Sequence, residues 1–165
     1  MAGGNGATGV ITSDGTVLTC GNNGYSQLGD PSVSGFDGRN TLGPINTNVK
    51  FSAIAVASLH MLALSNGTVY VWGSLTSDGS SMTTNASPVP IDTSGALINK
   101  TVTAISTANV ALFSAIITSD GQVFTFGANA NGQLGGMLLG SNTNNRWNNR
   151  WENNSSWRKW YRYHR

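Results

Sequence analysis

The residues that could do chemistry are few and far apart. One cysteine, Cys20, and two histidines, His60 and His164, stand among 165 residues. A metal centre needs three or four thiolate, imidazole or carboxylate ligands brought together, and a nucleophilic thiol needs an adjacent base. Neither Cys20 nor His60 has an acidic, Cys or His cluster beside it in sequence. Cys20 is therefore read as a small apolar side chain packed in a core, and His60 as a structural histidine in front of a turn. Asp14 and Asp120 each precede a glycine, so their carboxylates are read as holding local backbone. Asp30, Asp37, Asp78 and Asp92 are isolated in loops, and Asp78-Gly79 reads as one more turn. No glycine run carries the Lys-Ser/Thr that a phosphate-cradling loop requires. The sequence thus offers no catalytic residue, no cofactor-binding residue and no metal site. A non-enzymatic role is expected, and no partner-binding residue can be singled out.

The elements around these residues are strands. Charged residues make up 10% and hydrophobic residues 39%, with 21 Gly. A core is affordable at that apolar content, while the low charge and abundant Gly, Asn, Ser and Thr favour short strands and tight turns over helices. No segment has a convincing 3.6-residue period, and no apolar run is long enough for a helical membrane span. The N-terminus, MAGGNGATGV, has neither a basic start nor an apolar stretch of secretory type. It opens in the middle of a repeat.

That repeat is visible in SDGTVLTCG (13–21), SNGTVYVWG (65–73) and SDGQVFTFG (119–127). The turn glycines Gly15, Gly67 and Gly121 are 52 and 54 residues apart, and each is followed six positions later by Gly21, Gly73 or Gly127. Periods of this size mark solenoids and propellers. Asp14-Gly15, Asn66-Gly67 and Asp120-Gly121 predict type I′ hairpins, and the closing glycines predict a bulge or a sharp exit from the sheet. Along the second strand of each hairpin one face carries Val17/Thr19, Val69/Val71 and Val123/Thr125. The other carries Leu18/Cys20, Tyr70/Trp72 and Phe124/Phe126. Two apolar faces mean that both are covered, as in stacked propeller blades. Leu42-Gly43-Pro44-Ile45 and Pro88-Val89-Pro90-Ile91 read as links between blades. The runs after them, Phe51 to Ala57 and Val102 to Ser106, read as strands, giving three to four strands per period.

The hairpin Asp-Gly, the strand ending in aromatic-Gly and the following Gln-Leu-Gly together resemble the repeat of the regulator of chromosome condensation family. Asn131-Gly132-Gln133-Leu134-Gly135 carries the motif most fully and Tyr25-Ser26-Gln27-Leu28-Gly29 more loosely. His60 matches a histidine common in that repeat, with Ala7 and Phe113 at the corresponding places. The middle copy replaces Gln-Leu-Gly with the Ser/Thr-rich stretch Ser74 to Ser81. The resemblance runs over roughly residues 7 to 140. It implies an all-β fold: a seven-bladed propeller type, of which residues 1–141 would hold about three blades of an incomplete ring. Such an arc has two open edges, so it reads as a fragment that needs further blades, or self-association, to close. Members of the family serve as guanine-nucleotide exchange factors for a small nuclear GTPase, as chromatin binders and as protein-binding modules, through loops on the rims. No rim loop here matches the exchange factor's functional residues. The expectation is a non-enzymatic protein-interaction module with a protein partner, and the alternative is a guanine-nucleotide exchange factor or chromatin-associated protein.

Residues 142–165 differ in kind. They hold four of the five Trp and six of the nine Lys and Arg, a formal net charge of +5 against −3 for residues 1–141. Arg interleaved with Trp and Tyr could stack on nucleic-acid bases or sit at a membrane surface. However, this segment interrupts a blade where the next strand is due, and it reads as disordered or as the product of a shifted reading frame. The Asn-x-Ser/Thr sequons at Asn66, Asn85, Asn99, Asn153 and Asn154, with the low charge, tilt the expected location towards the cell surface or exterior.

Overall fold

The computed structural model describes residues 1–135 apart from residues 5, 36, 77–81, 94–96, 110–111 and 130–131. The expected Asp78-Gly79 turn, Asn131 and the segment 142–165 lie outside the described residues. Among the described residues, eleven strands form three antiparallel sheets in chain order. The first holds β1 (Ala2–Gly4), β2 (Ala7–Ile11), β3 (Val17–Gly21) and β4 (Arg39–Pro44). The second holds β5 (Ala53–Val56), β6 (His60–Ser65), β7 (Thr68–Thr76) and β8 (Met82–Pro90). The third holds β9 (Val102–Thr107), β10 (Phe113–Thr118) and β11 (Val123–Gly127).

The expected hairpins are present, but they are of two kinds. Asn66 and Gly67 both have positive φ, 47° and 79°, and Ser65 pairs with Thr68, which is a two-residue type I′ turn. Asn tolerates this left-handed conformation and Asp14 and Asp120 do not adopt it. At those sites only Gly15 (82°) and Gly121 (77°) have positive φ. The amide of Gly15 donates to the Thr12 carbonyl and that of Thr12 to Thr16, and the third sheet repeats both bonds with Gly121, Thr118 and Gln122. These are three-residue loops, a type I turn followed by a left-handed glycine. The reading of all three as type I′ is corrected accordingly. The extra residue explains why Ala7, His60 and Phe113 all pair with a closing glycine, Gly21, Gly73 and Gly127, despite unequal spacing.

The proline-containing segments are also more than links. They form the outer strands β4 and β8, whose terminal Pro44 and Pro90 pair with Leu18 and Tyr70. Proline is tolerated there because an outer strand needs no donor on its free side. In both sheets the register shifts near the closing glycine, between Thr19 and Gly21 and between Val71 and Gly73. A β-carbon on Gly73, at φ 85°, would lie 2.4 Å from the Leu59 carbonyl oxygen, so the expected need for glycine at this exit holds.

The core lies between sheets. Met61, Ala63, Tyr70 and Trp72 of the second sheet pack with Ala7, Val17, Leu28 and Phe51 from the first sheet and its loops. Leu62, Leu64, Val69 and Val71 pack with Val102, Ile116, Phe124 and Phe126 of the third. Both faces of the second sheet are thus buried, as the pattern required. The outer sheets are buried on one face each. Cys20 shares its column with Trp72 (0% exposed) and Phe126 (5%), yet it is only half-buried, because no described sheet covers that side of the first blade. The expectation of a core cysteine is corrected on this point.

Candidate interaction surface

Strand ends gather at two rims. One carries the hairpin loops, and here Asp14 accepts hydrogen bonds from the Thr12 and Thr16 hydroxyls and from Lys50 Nζ at 2.7 Å. Lys50, then Thr12 and Thr16, hold the Asp14 carboxyl well below the usual carboxylate range. Asp120 is built the same way: Lys100 and the Thr118 hydroxyl lower it to about 2. Both aspartates therefore organise turns, as the sequence implied, and their exposed ion pairs are solvent-screened. A cavity of about 200 Å³ beside Lys50, lined by Val17, Ile45 and Thr47, falls below the usual size of a small-molecule site.

The opposite rim carries the long loop between β3 and β4, and this loop is anchored from beneath. Asn23 donates through Nδ2 to the Val33 carbonyl (2.8 Å) and accepts at Oδ1 from the Leu28 amide (3.0 Å). Gln27 Oε1 accepts the Tyr25 amide at 2.8 Å. Arg39 donates to Asp30 at 3.0 Å and to the Thr19 and Gly43 carbonyls. The Ser32 hydroxyl and amide, then Arg39, hold the Asp30 carboxyl below its ordinary value. Above these anchors Asn22, Gly24, Tyr25, Ser32, Ser34 and Asp37 are exposed, Tyr25 to 46%. Ser, Gly and Asn around a rigid, half-exposed Tyr are the residue types that adaptable protein-binding loops favour. Sequence reasoning missed both Tyr25 and Arg39. The available signals were the Tyr inside an Asn-Gly-Tyr-Ser turn and the only Arg before residue 146.

The Gln-Leu-Gly motif locks this loop to its own blade and to the next one. The Thr19 hydroxyl donates to the Leu28 carbonyl at 2.8 Å, and Thr125 does the same to Leu134. The Leu134 amide donates to Asn129 Oδ1 as Leu28 does to Asn23. In the second blade, which lacks the motif, the threonine position is Val71, so no hydroxyl is left buried without an acceptor. The Gln27 carbonyl accepts the Trp72 indole N–H at 2.8 Å. A β-carbon on Gly29 would come within 2.8 Å of that nitrogen. The third blade, which follows the one without the motif, has Phe126 in place of the indole.

His60 is fully buried, and its Nε2 lies 2.7 Å from Ser114 Oγ of the third sheet. Burial lowers the imidazole to about 4. The Ser114 hydroxyl beside it is itself fully buried, and no charged partner contributes to its shift among the described residues, so its position fits a structural histidine. No group of three potential metal-ligating side chains occurs among the described residues. Cys20 and His60 lie in different sheets, Cys20 on the uncovered side of the first and His60 at the joint between the second and third. Asp37 and Asp92 are exposed.

A stack of sheets with repeated Thr-to-Leu locks, joined through an aromatic column, has recognised counterparts. The regulator of chromosome condensation (RCC1) repeat matches residues 103–133, across most of the third sheet and its following loop. The chain is built from regulator of chromosome condensation repeats. It is 32% identical over 136 residues to the human probable E3 ubiquitin-protein ligase HERC6, covering 76% of this chain and 12% of that protein. Among solved structures, human WBSCR16 aligns with a TM-score of 0.68 at 24% identity, over 81% of this chain and 35% of that one. Yeast RCC1 (Prp20), in the structure with Kap60 bound, aligns with a TM-score of 0.69 at 16% identity, over 93% and 36%. Prp20p of Saccharomyces cerevisiae, in a structure reported with its binding properties to Gsp1p and histones, aligns at 0.60 and 16%, over 76% and 32%. These likenesses establish the fold: three blades of a β-propeller, an arc about a third as long as the solved chains it matches.

Proposed function

We propose that this chain is a non-enzymatic protein-interaction module, and that the loop between β3 and β4 is its contact surface. The observation that carries this reading is the pairing of anchors, the buried Asn23 and Gln27 and the half-buried Arg39, with an exposed Tyr25. An ordered loop on a rigid scaffold loses little conformational entropy on binding. Tyr25→Ala should abolish capture of a protein partner, or weaken it at least tenfold, without shifting the urea midpoint, since truncation of an anchor aromatic removes much of the affinity while the Tyr25 ring supports no core. Isothermal titration with a partner recovered on the full chain checks it; unchanged affinity would move the contact elsewhere.

A second reading is a guanine-nucleotide exchange or chromatin-associated role, supported by the likeness to Prp20p, whose structure is described with Gsp1p and histones. Acceleration of nucleotide release from a small GTPase by this chain would favour it over the first.

A further inference from the structure

The second and third sheets are almost free of ionisable groups. Strands β5 to β11 contain no Asp, Glu, Lys, Arg or Cys, and His60 is the one side chain in them that changes charge near neutral pH. It stands at the joint between these sheets, fully buried, with Nε2 on Ser114 across the joint and Nδ1 without a hydrogen-bond partner among the described residues. Among the described residues, the strands packed around it present apolar side chains and hydroxyls: β5 and β9 are Ala, Ile, Val, Ser and Thr, β7 brings the buried Ser74, and β10 brings Ser114. Tyr70 lies on the other face of the second sheet, edge-on to Phe51 at 5.4 Å. A neutral imidazole has one N–H and one bare nitrogen. An imidazolium has two N–H groups, and here the second would be buried with neither acceptor nor counter-charge.

We propose that His60 makes the joint between the second and third blades an acid-opened seam, closed by the neutral imidazole and released by its protonation. The joint between the first and second blades is held by an indole-to-carbonyl bond and apolar packing, so it stays closed over the same range. The sign follows from proton uptake. An opened His60 titrates near 6.5 and the closed one about 4, so the open state binds one more proton between those values. The seam is tightest above pH 6.5 and loosens as pH falls towards 4, with the opening equilibrium rising by up to about tenfold per pH unit.

Amide hydrogen exchange of the full chain from pH 7 to 4.5, corrected for intrinsic rates, tests this. Protection in β9, β10 and β11 should fall with acid, while that of β2, β3 and β5 holds. His60→Gln, which keeps a side-chain amide facing Ser114 but no titrating group, should flatten the acid dependence. Ser114→Ala, which removes the partner and leaves the imidazole, should move opening to higher pH; it also serves as the test if the glutamine variant does not fold. Uniform loss of protection across all three sheets, an unchanged acid profile in His60→Gln, or an unmoved profile in Ser114→Ala would each overturn the proposal.

Discussion

The two joints between blades are built from the same strands in the same order, yet different forces close them. At the first joint the loop of one blade reaches over the next: the Gln27 carbonyl takes the Trp72 N–H, and Gly29 lies against the indole. At the second the Gln-Leu-Gly motif is missing from the sequence, and a polar contact lies further in, between His60 and Ser114. Both joints bury a column of aromatic or aliphatic side chains, which supplies most of the adhesion through removal of apolar surface from water. What differs, among the polar bonds that cross the joints, is the buried side-chain bond at each. A neutral indole donor is indifferent to pH, whereas an imidazole is not. Repeat architecture thus tolerates exchange of its locking bond as long as the apolar column is kept.

The largest expected effects test whether the columns are equivalent. Trp72→Ala and Phe124→Ala should each cost about 3–5 kcal/mol in urea unfolding, the usual range for a buried aromatic. Both side chains are at most 2% exposed. A much smaller loss at Phe124 would mean that the second joint is the looser one. Next in size is Gly29→Ala, at about 1–3 kcal/mol, because the added carbon strains a φ of 67° and crowds the indole. Gly121→Ala has a similar φ of 77° but meets nothing within 4 Å. The difference between the two midpoints isolates the contact with Trp72, and equal losses would remove the loop from the joint. The smallest effect belongs to the hairpin rim. Asp120→Asn should leave stability at pH 7 nearly unchanged, because the pair is exposed. What Asp120 contributes is present above the ordinary carboxylate range and fades as pH falls towards 2. The small difference between wild type and variant in acid titrations should therefore be constant above about pH 4 and shrink as pH falls towards 2.

The repeat, the strands and the two-faced burial of the middle blade were legible in the sequence, because each rests on short-range rules: Asp-Gly and Asn-Gly turns, glycine at a crowded exit, and two-residue alternation. The turn type was not, since Asp and Asn before glycine look alike until their φ values part. Nor was the role of the proline segments, where a residue that breaks inner strands sits comfortably at an outer edge. The exposed Tyr25 was hard to single out because the Asn-Gly-Tyr-Ser turn around it also belongs to the repeat motif, whereas Tyr70, on a strand, is partly buried against Phe51. Cys20 was misplaced for the converse reason. Its column is a core column only where another sheet stands against it.

The amino-acid sequence by itself determined the repeat, the family resemblance and the strand faces, since these follow from residue type and spacing along one chain. Only the tertiary structure decided which carbonyl receives the Trp72 indole, which hydroxyl meets His60, and which tyrosine is free to touch a partner. Those contacts join residues 45 and 54 positions apart. They exist because apolar columns bring whole sheets together, and sheet packing is not encoded in any single turn or strand.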